Sequence, residues 1–139
     1  MFPDTENKIK IVNQIPKVII NVDELKMMLA IRNLLDNALK YSDNVQSKHV
    51  CEIFFKVKNN VLEISIQDFG KGIKKEEIPK LTEPFYRADK ENDIKGFGIG
   101  LTIVKKVIEA HSGKLIIESK YGKGSTFKLQ LPCTRKNDG

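Results

Sequence analysis

Four short segments of this chain combine apolar and β-branched residues in the way that strands do. Two of them, KIKIVNQI (8–15) and KVIINV (17–22), are separated by Pro16 near the start of the chain. Two more, CEIFFKVK and VLEISIQD, flank Asn59-Asn60, a dipeptide that favours the tight turn of a hairpin. The pattern therefore predicts two single strands and one hairpin whose second strand ends at Asp68.

Two other segments repeat their apolar residues with the period of a helix. The first runs from residue 23 to about residue 42, and Asn21 followed by Glu24 has the spacing of a capping box at its start. The second, LTIVKKVIEAH, ends at Ser112-Gly113, which has the composition of a C-terminal cap. The periodic apolar residues of the first helix are Leu25, Met28, Leu29, Leu35 and Ala38.

A long loop rich in glycine and lysine, residues 69–100, separates the first hairpin from the second helix, with a short helix predicted around KKEEIPKL. Loops of this length are uncommon in a compact domain and are usually functional. After the second helix, KLIIES and STFKLQLP, joined by YGKG, predict another hairpin. This order predicts an α/β two-layer sandwich, in which a mixed β-sheet of about five strands packs on about three helices.

The composition is that of an ordinary globular protein. With 139 residues, of which 40% are hydrophobic and 30% charged, we expect a single domain with its core at about residues 8–132. No segment approaches the roughly 18 consecutive apolar residues of a membrane helix. The N-terminus MFPDTENKIK also lacks the apolar centre of a signal peptide, so we expect a cytoplasmic location.

The formal net charge of +6 favours anionic partners. The lysines are scattered, and neither an arginine-rich run nor a zinc-finger motif accompanies them, so we expect no nucleic-acid partner, although charge alone leaves one open. Cys51 and Cys133 have no partner at CxxC spacing, so neither a disulfide nor a zinc site is predicted. Nucleotide phosphates are the other class of anion that the charge favours.

Three glycine clusters lie in the second half of the chain: DFGKG (68–72), GFGIG (96–100) and GKGS (122–125). GFGIG directly precedes a predicted helix, where free backbone N–H groups and the helix dipole favour a phosphate. It is neither a dinucleotide-binding fingerprint, because Leu101 stands where the third glycine would be, nor a Walker loop, because no GK[ST] closes it. Asp68, at the end of a strand, has the chemistry to accept a hydrogen bond from an exocyclic amino group such as that of adenine.

The segment NLLDNALKYS adds a polar stripe to the first helix. Asn33, Asn37, Lys40 and Tyr41 occupy positions i, i+4, i+7 and i+8, which lie on one face of a helix. Two amides, a cation and a phenol on one face are either a solvated surface or the wall of a binding site. The glycine clusters favour the binding site.

These motifs resemble the five boxes of the catalytic ATP-binding domain of bacterial sensor histidine kinases. NLLDNALKY resembles the N box, DFGKGI the G1 box, PFYRAD the F box, GFGIGL the G2 box and GKGSTF the G3 box, in that order. The wider GHKL group, with the Bergerat fold, includes Hsp90, gyrase B and MutL. The resemblance implies binding of Mg-ATP and transfer of its γ-phosphate to a histidine on a separate dimerisation domain, for relay to a response regulator.

The resemblance also implies roles on the polar stripe of the first helix. Asn37 would be the Mg²⁺ ligand, and Asn33 would support the same network. Lys40 would meet the phosphate charge, while Tyr41 would cover the ribose or the phosphates.

The adenine site and the ATP lid are implied by the other boxes. Asp68 would bind the adenine amino group, Gly70 and Gly72 would let the backbone approach the base, and Ile73 would pack on it. Thr126 or Ser125 would complete the adenine contacts; Thr126 is included in the predicted set and the choice stays open. The lid would span about residues 74–97, and the lid and the G2 box would contribute Tyr86, Arg87, Lys95, Gly96, Gly98, Gly100 and Leu101 to nucleotide binding. Asn33, Lys40 and Arg87 are the residues expected to act in catalysis.

Asn33 also bears on the reaction. ATP-hydrolysing members of the group commonly carry a glutamate at this position, and an amide cannot take a proton from water. The resemblance therefore favours a protein-histidine kinase, with a GHKL-type ATPase or a nucleotide-gated interaction module that docks through Phe85 and Tyr86 as alternatives. Thr82 and Phe97 depart from the residues common in the F and G2 boxes.

None of the motifs in this sequence contains the phosphoacceptor histidine. His49 and His111 lack the context of a phosphoacceptor histidine, and we expect His111 to have a capping or packing role. The dimerisation domain and its histidine are therefore expected elsewhere in a longer protein. The isolated domain is expected to be a monomer.

Overall fold

The computed structural model describes residues 9–40, 51–70, 72–83 and 100–135. The elements in chain order are β1 (Ile9–Ile11), β2 (Val18–Ile19), α1 (Glu24–Lys40), β3 (Cys51–Lys58), β4 (Val61–Asp68), a 3₁₀-helix (Lys75–Lys80), α2 (Gly100–Ala110), β5 (Lys114–Lys120), β6 (Gly124–Pro132) and β7 (Thr134–Arg135). Within these ranges, no helix has the length and hydropathy that crossing a membrane requires.

The main sheet has five strands in the order β1-β3-β4-β6-β5. β1 runs parallel to β3, and the remaining pairs are antiparallel, so the prediction of a mixed sheet of about five strands is confirmed. β2 does not join this sheet but pairs with β7 in a separate antiparallel ladder. β2 and β7 are far apart in the sequence, so the residues around β2 do not indicate which strand it pairs with.

The β3–β4 hairpin closes at the predicted Asn59-Asn60 turn. Both asparagines have positive φ, 52° and 62°, which a tight two-residue hairpin turn requires and asparagine tolerates. The backbone N–H of Cys133 donates to the Asn60 carbonyl at 2.8 Å, so the turn is also held to the chain that follows β6.

One hydrophobic core lies between the sheet and the two α-helices. Leu34 of α1 and Ile108 of α2 are buried there with Ile66 of β4 and Leu129 of β6. Along β6, from Ser125 to Leu131, buried side chains alternate with more exposed ones, as expected when one face of a sheet is covered by helices. The two-layer sandwich predicted from the order of elements is therefore confirmed.

Helix α1 begins differently from the prediction. The Asp23 carboxylate accepts a hydrogen bond from the backbone N–H of Lys26 at 3.0 Å, so Asp23 is the N-cap and the helix starts at Glu24. The proposed capping box of Asn21 and Glu24 is wrong because Glu24 is already the first helical residue and cannot be the third.

In the first half of α1 the apolar residues that give the helical period are not the ones that the core buries. Leu25, Met28 and Leu29 are 67%, 58% and 49% exposed, whereas Met27 and Ala30 are buried. Apolar residues surround this part of the helix, and the period alone does not say which side meets the sheet. The predicted helix is present, and of its periodic apolar residues Ala38 is buried in the core.

Helix α2 ends in the predicted C-terminal cap. Ser112 has the left-handed φ of 62°, its N–H donates to the Glu109 carbonyl at 3.1 Å, and the N–H of Gly113 donates to the Ile108 carbonyl at 2.9 Å. This is the hydrogen-bond pattern of a Schellman motif. Glycine is needed at the next position for another reason: a Cβ on Gly113 would lie 2.3 Å from the carbonyl oxygen of Gln130.

Candidate functional site

A buried carboxylate stands at the end of the central strand β4. Asp68 is only 3% exposed, and its Oδ1 accepts hydrogen bonds from the backbone N–H groups of Gly70 at 3.1 Å and Ser125 at 3.2 Å. Ser125 is also the cross-strand neighbour of Asp68 on β6. The carboxylate is therefore held in place by the turn after its own strand and by the start of the adjacent strand.

Burial determines the proton affinity of this carboxylate. Desolvation raises the pKa of Asp68 to about 6, while the hydrogen bonds from Gly70 and Ser125 act in the opposite direction. At neutral pH the group is mostly ionised, so it is a strong acceptor with little water around it. Burying this charge is unfavourable in the free protein, and a ligand that donates a hydrogen bond to the carboxylate would offset the loss of hydration.

The charge of Asp68 also affects its other cross-strand neighbour, Cys51 of β3. Burial, followed by the negative charges of Asp68 and Glu52, raises the pKa of the Cys51 thiol to about 11. The thiol is therefore protonated at neutral pH and packs as a small apolar side chain in the core.

A hydroxyl cluster continues the row that Asp68 begins. On β5, Ser119 is the cross-strand neighbour of Ser125, and the two Oγ atoms are 2.8 Å apart. Ser119 Oγ also accepts the backbone N–H of Ile73 at 2.7 Å and lies 3.0 Å from the Gly124 carbonyl oxygen. The segment after β4 is thus fastened to β5 through one serine.

Two glycines of the predicted boxes are required by close backbone approach. Gly72 has φ 78°, and a Cβ there would lie 2.3 Å from the Lys120 carbonyl oxygen. Gly124 has φ 104°, and its Cβ would lie 2.3 Å from the Asp68 carbonyl oxygen. The crowding comes from the protein's own strands, whereas the sequence predicted that Gly72 makes room for a base. These glycines let the ends of β4, β5 and β6 converge.

Asn33, the first residue of the polar stripe of α1, lies near the start of α2. Asn33 and Asn37 are both half-buried and one helical turn apart. The Asn33 Oδ1 atom lies 3.9 Å from the position of a Cβ on Gly100, the first residue of α2. The structure therefore brings the predicted N box next to the end of the G2 box. Leu101 and Ile73, both half-buried, pack against the core on this side.

The segment assigned to the lid is described only up to residue 83. The predicted short helix is the 3₁₀-helix, and the Thr82 carbonyl after it accepts a hydrogen bond from Thr102 Oγ1 of α2 at 2.7 Å. Several predicted site residues lie outside the described residues, namely Tyr41, Tyr86, Arg87, Lys95, Gly96 and Gly98. The side chain of Lys40 is also outside them. The same holds for His49, Phe85 and Phe97, which the sequence analysis discussed for other reasons.

The structure does not bring Thr126 to the Asp68 side of the sheet. The register pairs Ser125 with Asp68 and Thr126 with Gln67, and successive residues of a strand point to opposite faces. Ser125 is therefore the hydroxyl on the Asp68 face, and the register favours Ser125 over Thr126 for a contact beside Asp68. The alternation of residues along β6 already indicates which hydroxyl shares the face of Asp68. Phe127 is buried in the core, and Ser125, two residues before it, points to the same face. Ser119, which the sequence analysis did not single out, is likewise in phase with Ile117 of the core.

The described residues contain no group of three or more His, Cys, Asp or Glu side chains placed to hold a metal ion. A magnesium ion bound together with a nucleotide needs fewer protein ligands, since phosphate oxygens and water complete its octahedral shell. The half-buried Asn37, one helical turn after Asn33, offers an amide oxygen of the kind that Mg²⁺ accepts. The residues present therefore fit such an ion.

The family of this chain follows from its match to a known family of ATP-binding domains. Residues 22–135 match the family HATPase_c, described as histidine kinase-, DNA gyrase B- and HSP90-like ATPase. The chain belongs to this family. The HATPase_c match includes Asn33, Asn37, Asp68 and the hydroxyl cluster, so every described part of the candidate site lies inside it.

Relatives of this HATPase_c domain are sensor kinases. Sensor protein RprX of Bacteroides fragilis (strain YCH46) is 42% identical over 122 residues, which are 86% of this chain and 23% of RprX. Sensor histidine kinase WalK of Bacillus subtilis (strain 168) is 34% identical over 138 residues, which are 96% of this chain and 22% of WalK. The chain thus spans less than a quarter of the length of these relatives.

Solved structures share the fold of this HATPase_c domain. The mycobacterial sensor histidine kinase MprB superposes with a TM-score of 0.76 at 24% identity, over 93% of this chain and 84% of that one. Full-length ShkA in complex with AMPPNP gives a TM-score of 0.77 at 22% identity, over 93% of this chain and 26% of ShkA. At these identities the likeness shows a common fold.

Proposed function

We propose that this chain is the ATP-binding catalytic domain of a sensor histidine kinase, which binds Mg-ATP and transfers the γ-phosphate to a histidine on a separate dimerisation domain. The observation that carries the proposal is Asp68, a buried carboxylate fixed by two backbone N–H groups at the convergence of three strands. Membership of the HATPase_c family and kinship with sensor kinases such as RprX support it. The fold shared with ShkA, whose structure contains AMPPNP, supports a nucleotide as the ligand.

Recognition of the base follows from the hydrogen bonds of Asp68. The Gly70 and Ser125 amides both bind Oδ1, so Oδ2 is assigned to accept a hydrogen from the adenine amino group. Guanine presents a carbonyl at the corresponding position, and two acceptors would then face each other in a site with little water. The domain is therefore expected to bind ATP and to reject GTP.

The phosphates are assigned to the side of the site where α1 meets α2. Asn37 would hold Mg²⁺, and Asn33 would orient the same polar network next to Gly100. Bound Mg²⁺ would neutralise part of the phosphate charge. The N–H groups at Gly100 and Leu101 belong to the first turn of α2, where the helix dipole favours an anion. Gly96 and Gly98 of the same box, with Lys40, Tyr41, Tyr86 and Lys95, are proposed to complete the binding of the nucleotide.

Catalysis is proposed to depend on positioning and charge. Asn33 is an amide and cannot act as a general base, so the acceptor must be nucleophilic without one, as a neutral imidazole is. Arg87 is proposed to stabilise the charge that shifts to the β-phosphate during transfer, since a guanidinium binds phosphate oxygens bidentately. The partners of this reaction are the histidine-bearing dimerisation domain and, downstream of it, a response regulator. We place the domain in the cytoplasm, where ATP is available.

The first test measures nucleotide retention and hydrolysis together. Excess protein is incubated with γ-labelled ATP and Mg²⁺, and bound nucleotide and free phosphate are followed over time. We expect intact ATP to be retained without steady phosphate release. Asp68→Ala should weaken binding about tenfold or more because the adenine donor loses its partner. Gln67→Ala is the matched control, since Gln67 precedes Asp68 on β4 and points to the opposite face.

Other outcomes of the same experiment would change the assignment. Steady phosphate release by the isolated domain would favour a GHKL-type ATPase. Equal ATP affinity in the wild type, Asp68→Ala and Asn37→Ala would show that the nucleotide does not use this site.

A further inference from the structure

We propose that Ser119 is a positioning residue of the adenine site, which orients the Ser125 hydroxyl so that Ser125 presents only a hydrogen-bond acceptor to the base. The inference rests on the proposed function, because it concerns base selectivity at the same site.

The three residues form one row across the sheet. Asp68 of β4 pairs with Ser125 of β6, and Ser125 pairs with Ser119 of β5. All three are in phase with core side chains of their strands, as Ile66, Phe127 and Ile117 show. Asp68 and Ser125 are buried, and Ser119 is half-buried. The row therefore has little access to water that could replace a missing hydrogen bond.

Counting hydrogens determines the direction of each bond in this row. Ser119 Oγ has three polar neighbours: the Ile73 N–H at 2.7 Å, Ser125 Oγ at 2.8 Å and the Gly124 carbonyl oxygen at 3.0 Å. A hydroxyl offers one hydrogen and two lone pairs. Ile73 N–H can only donate and the Gly124 carbonyl can only accept, so one arrangement makes all three contacts hydrogen bonds. Ser119 donates to Gly124 and accepts from Ile73 and Ser125.

The orientation of Ser125 follows from this arrangement. Its single hydrogen points to Ser119, so toward a ligand Ser125 Oγ has only lone pairs. Next to it, the Asp68 carboxylate is also an acceptor. Two fixed acceptors suit the amino group of adenine, which carries two hydrogens, and oppose the carbonyl of guanine. Without Ser119, the Ser125 hydroxyl is free to rotate and to donate to a guanine carbonyl.

The same serine holds the chain segment that follows the base-binding strand. The Ile73 N–H is bound by Ser119, while the Ile73 side chain packs against the core. Ser119 therefore affects the site at two points, through the direction of the Ser125 hydroxyl and through the position of Ile73.

The experiment compares the affinities of the whole chain for ATP and GTP by competition with a fluorescent adenine nucleotide. We expect Ser119→Ala to lower the affinity for ATP about tenfold and to leave the affinity for GTP unchanged or raised, so that the ATP-to-GTP ratio falls. Ser119→Thr keeps the hydroxyl and should restore the ratio. Ser65→Ala is the control, because Ser65 is a buried serine in β4 on the opposite face from Asp68 and should leave the ratio unchanged.

The outcomes separate this inference from the proposed function. A folded Ser119→Ala with an unchanged ratio, or with equal losses for both nucleotides, would overturn the role of Ser119 while leaving the ATP site intact. Failure of the wild type to bind ATP would overturn both. If Ser119→Ala does not fold, as judged by its thermal transition, Ser119→Cys provides the second variant. It keeps the size of the side chain but hydrogen-bonds weakly, and its ratio should also fall.

Discussion

The imidazole of His111 joins the two α-helices: its Nε2 accepts a hydrogen bond from the backbone N–H of Asp23 at 2.9 Å. The other ring nitrogen, Nδ1, lies 2.7 Å from the Val107 carbonyl oxygen. An amide can only donate and a carbonyl can only accept, so in this pair of hydrogen bonds Nε2 is the acceptor and Nδ1 is the donor. The capping or packing role predicted for His111 is confirmed, and its second partner is the N-cap residue of α1.

Removing this link should lower the stability of the domain. We expect His111→Ala to reduce the free energy of unfolding by about 1 to 3 kcal/mol, because it breaks two hydrogen bonds at once. His111→Asn can still donate to Val107 but cannot reach Asp23, so its stability should lie between those of the wild type and the alanine variant. Urea unfolding followed by circular dichroism measures both. Wild-type stability in His111→Ala would show that the helices do not need the link.

ATP affinity should depend on pH through Asp68. The pKa of this carboxylate in the free domain is raised to about 6. The ionised form is the stronger acceptor for the proposed hydrogen bond from the adenine amino group, because the protonated form turns one of its oxygens into a donor. Affinity should therefore fall as the pH is lowered through this value, by up to about tenfold at one unit below it. Binding is measured by calorimetry from pH 7.5 to pH 5.

The nucleotide itself also titrates in this range, so the comparison needs a variant. Asp68→Asn cannot ionise. Its amide oxygen is needed by the Gly70 and Ser125 N–H groups, so its NH2 faces the adenine amino group and its affinity should be lower, but this affinity should change with pH only through the phosphate of ATP. The difference between the two pH profiles isolates Asp68. Parallel profiles would mean that the carboxylate does not contact the base.

The stability of the free domain should show the opposite trend. Because the folded-state pKa of Asp68 is above the ordinary value of 3.8 for an aspartate in an unfolded chain, protonation stabilises the folded state. This contribution is complete below the unfolded value and is lost as the pH rises through about 6. Relative to Asp68→Asn, the wild type should lose roughly 2 to 3 kcal/mol between pH 4 and pH 7. Unfolding in urea at several pH values, without nucleotide, measures the loss; a constant difference would contradict it.

Ser65 offers a substitution that should stabilise the protein. Its Oγ is buried on β4 and has no hydrogen-bond partner within the part of the chain that the structure describes. Ser65→Ala removes an unpaired hydroxyl and is expected to raise the free energy of unfolding by about 1 kcal/mol. Ser65→Thr, which keeps the hydroxyl and adds a methyl group in a buried place, is expected to be less stable than Ser65→Ala. A destabilised alanine variant would show that the hydroxyl is satisfied in solution.

Local signals in the sequence were enough to predict most of the fold. The Asn59-Asn60 turn, the cap at Ser112-Gly113 and the alternation along β6 each depend on neighbours in the chain, and all three are present as expected. The buried face of α1 and the partner of β2 depend on residues far away in sequence, so no local period determines them.

The candidate site divides in the same way. Asp68 was predicted from its place at a strand end, and its burial is a property of the assembled sheet. The choice between Ser125 and Thr126 required the register of β6 against β4, which a list of motifs does not contain. Ser119 belongs to none of the glycine boxes, and only its cross-strand position gives it a role.

The strand order has a consequence for how the domain folds. β3 and β4 are neighbours in the chain, as are β5 and β6, but the pairing of β4 with β6 joins residues as far apart as Asp68 and Ser125. Neither hairpin alone contains both Asp68 and Ser125, so the proposed adenine site forms only when this non-local pairing forms, which is the slow kind of step in folding. A nucleotide that binds there stabilises the contact between the two hairpins by mass action. ATP binding during refolding would therefore report the moment at which the two hairpins of the sheet come together.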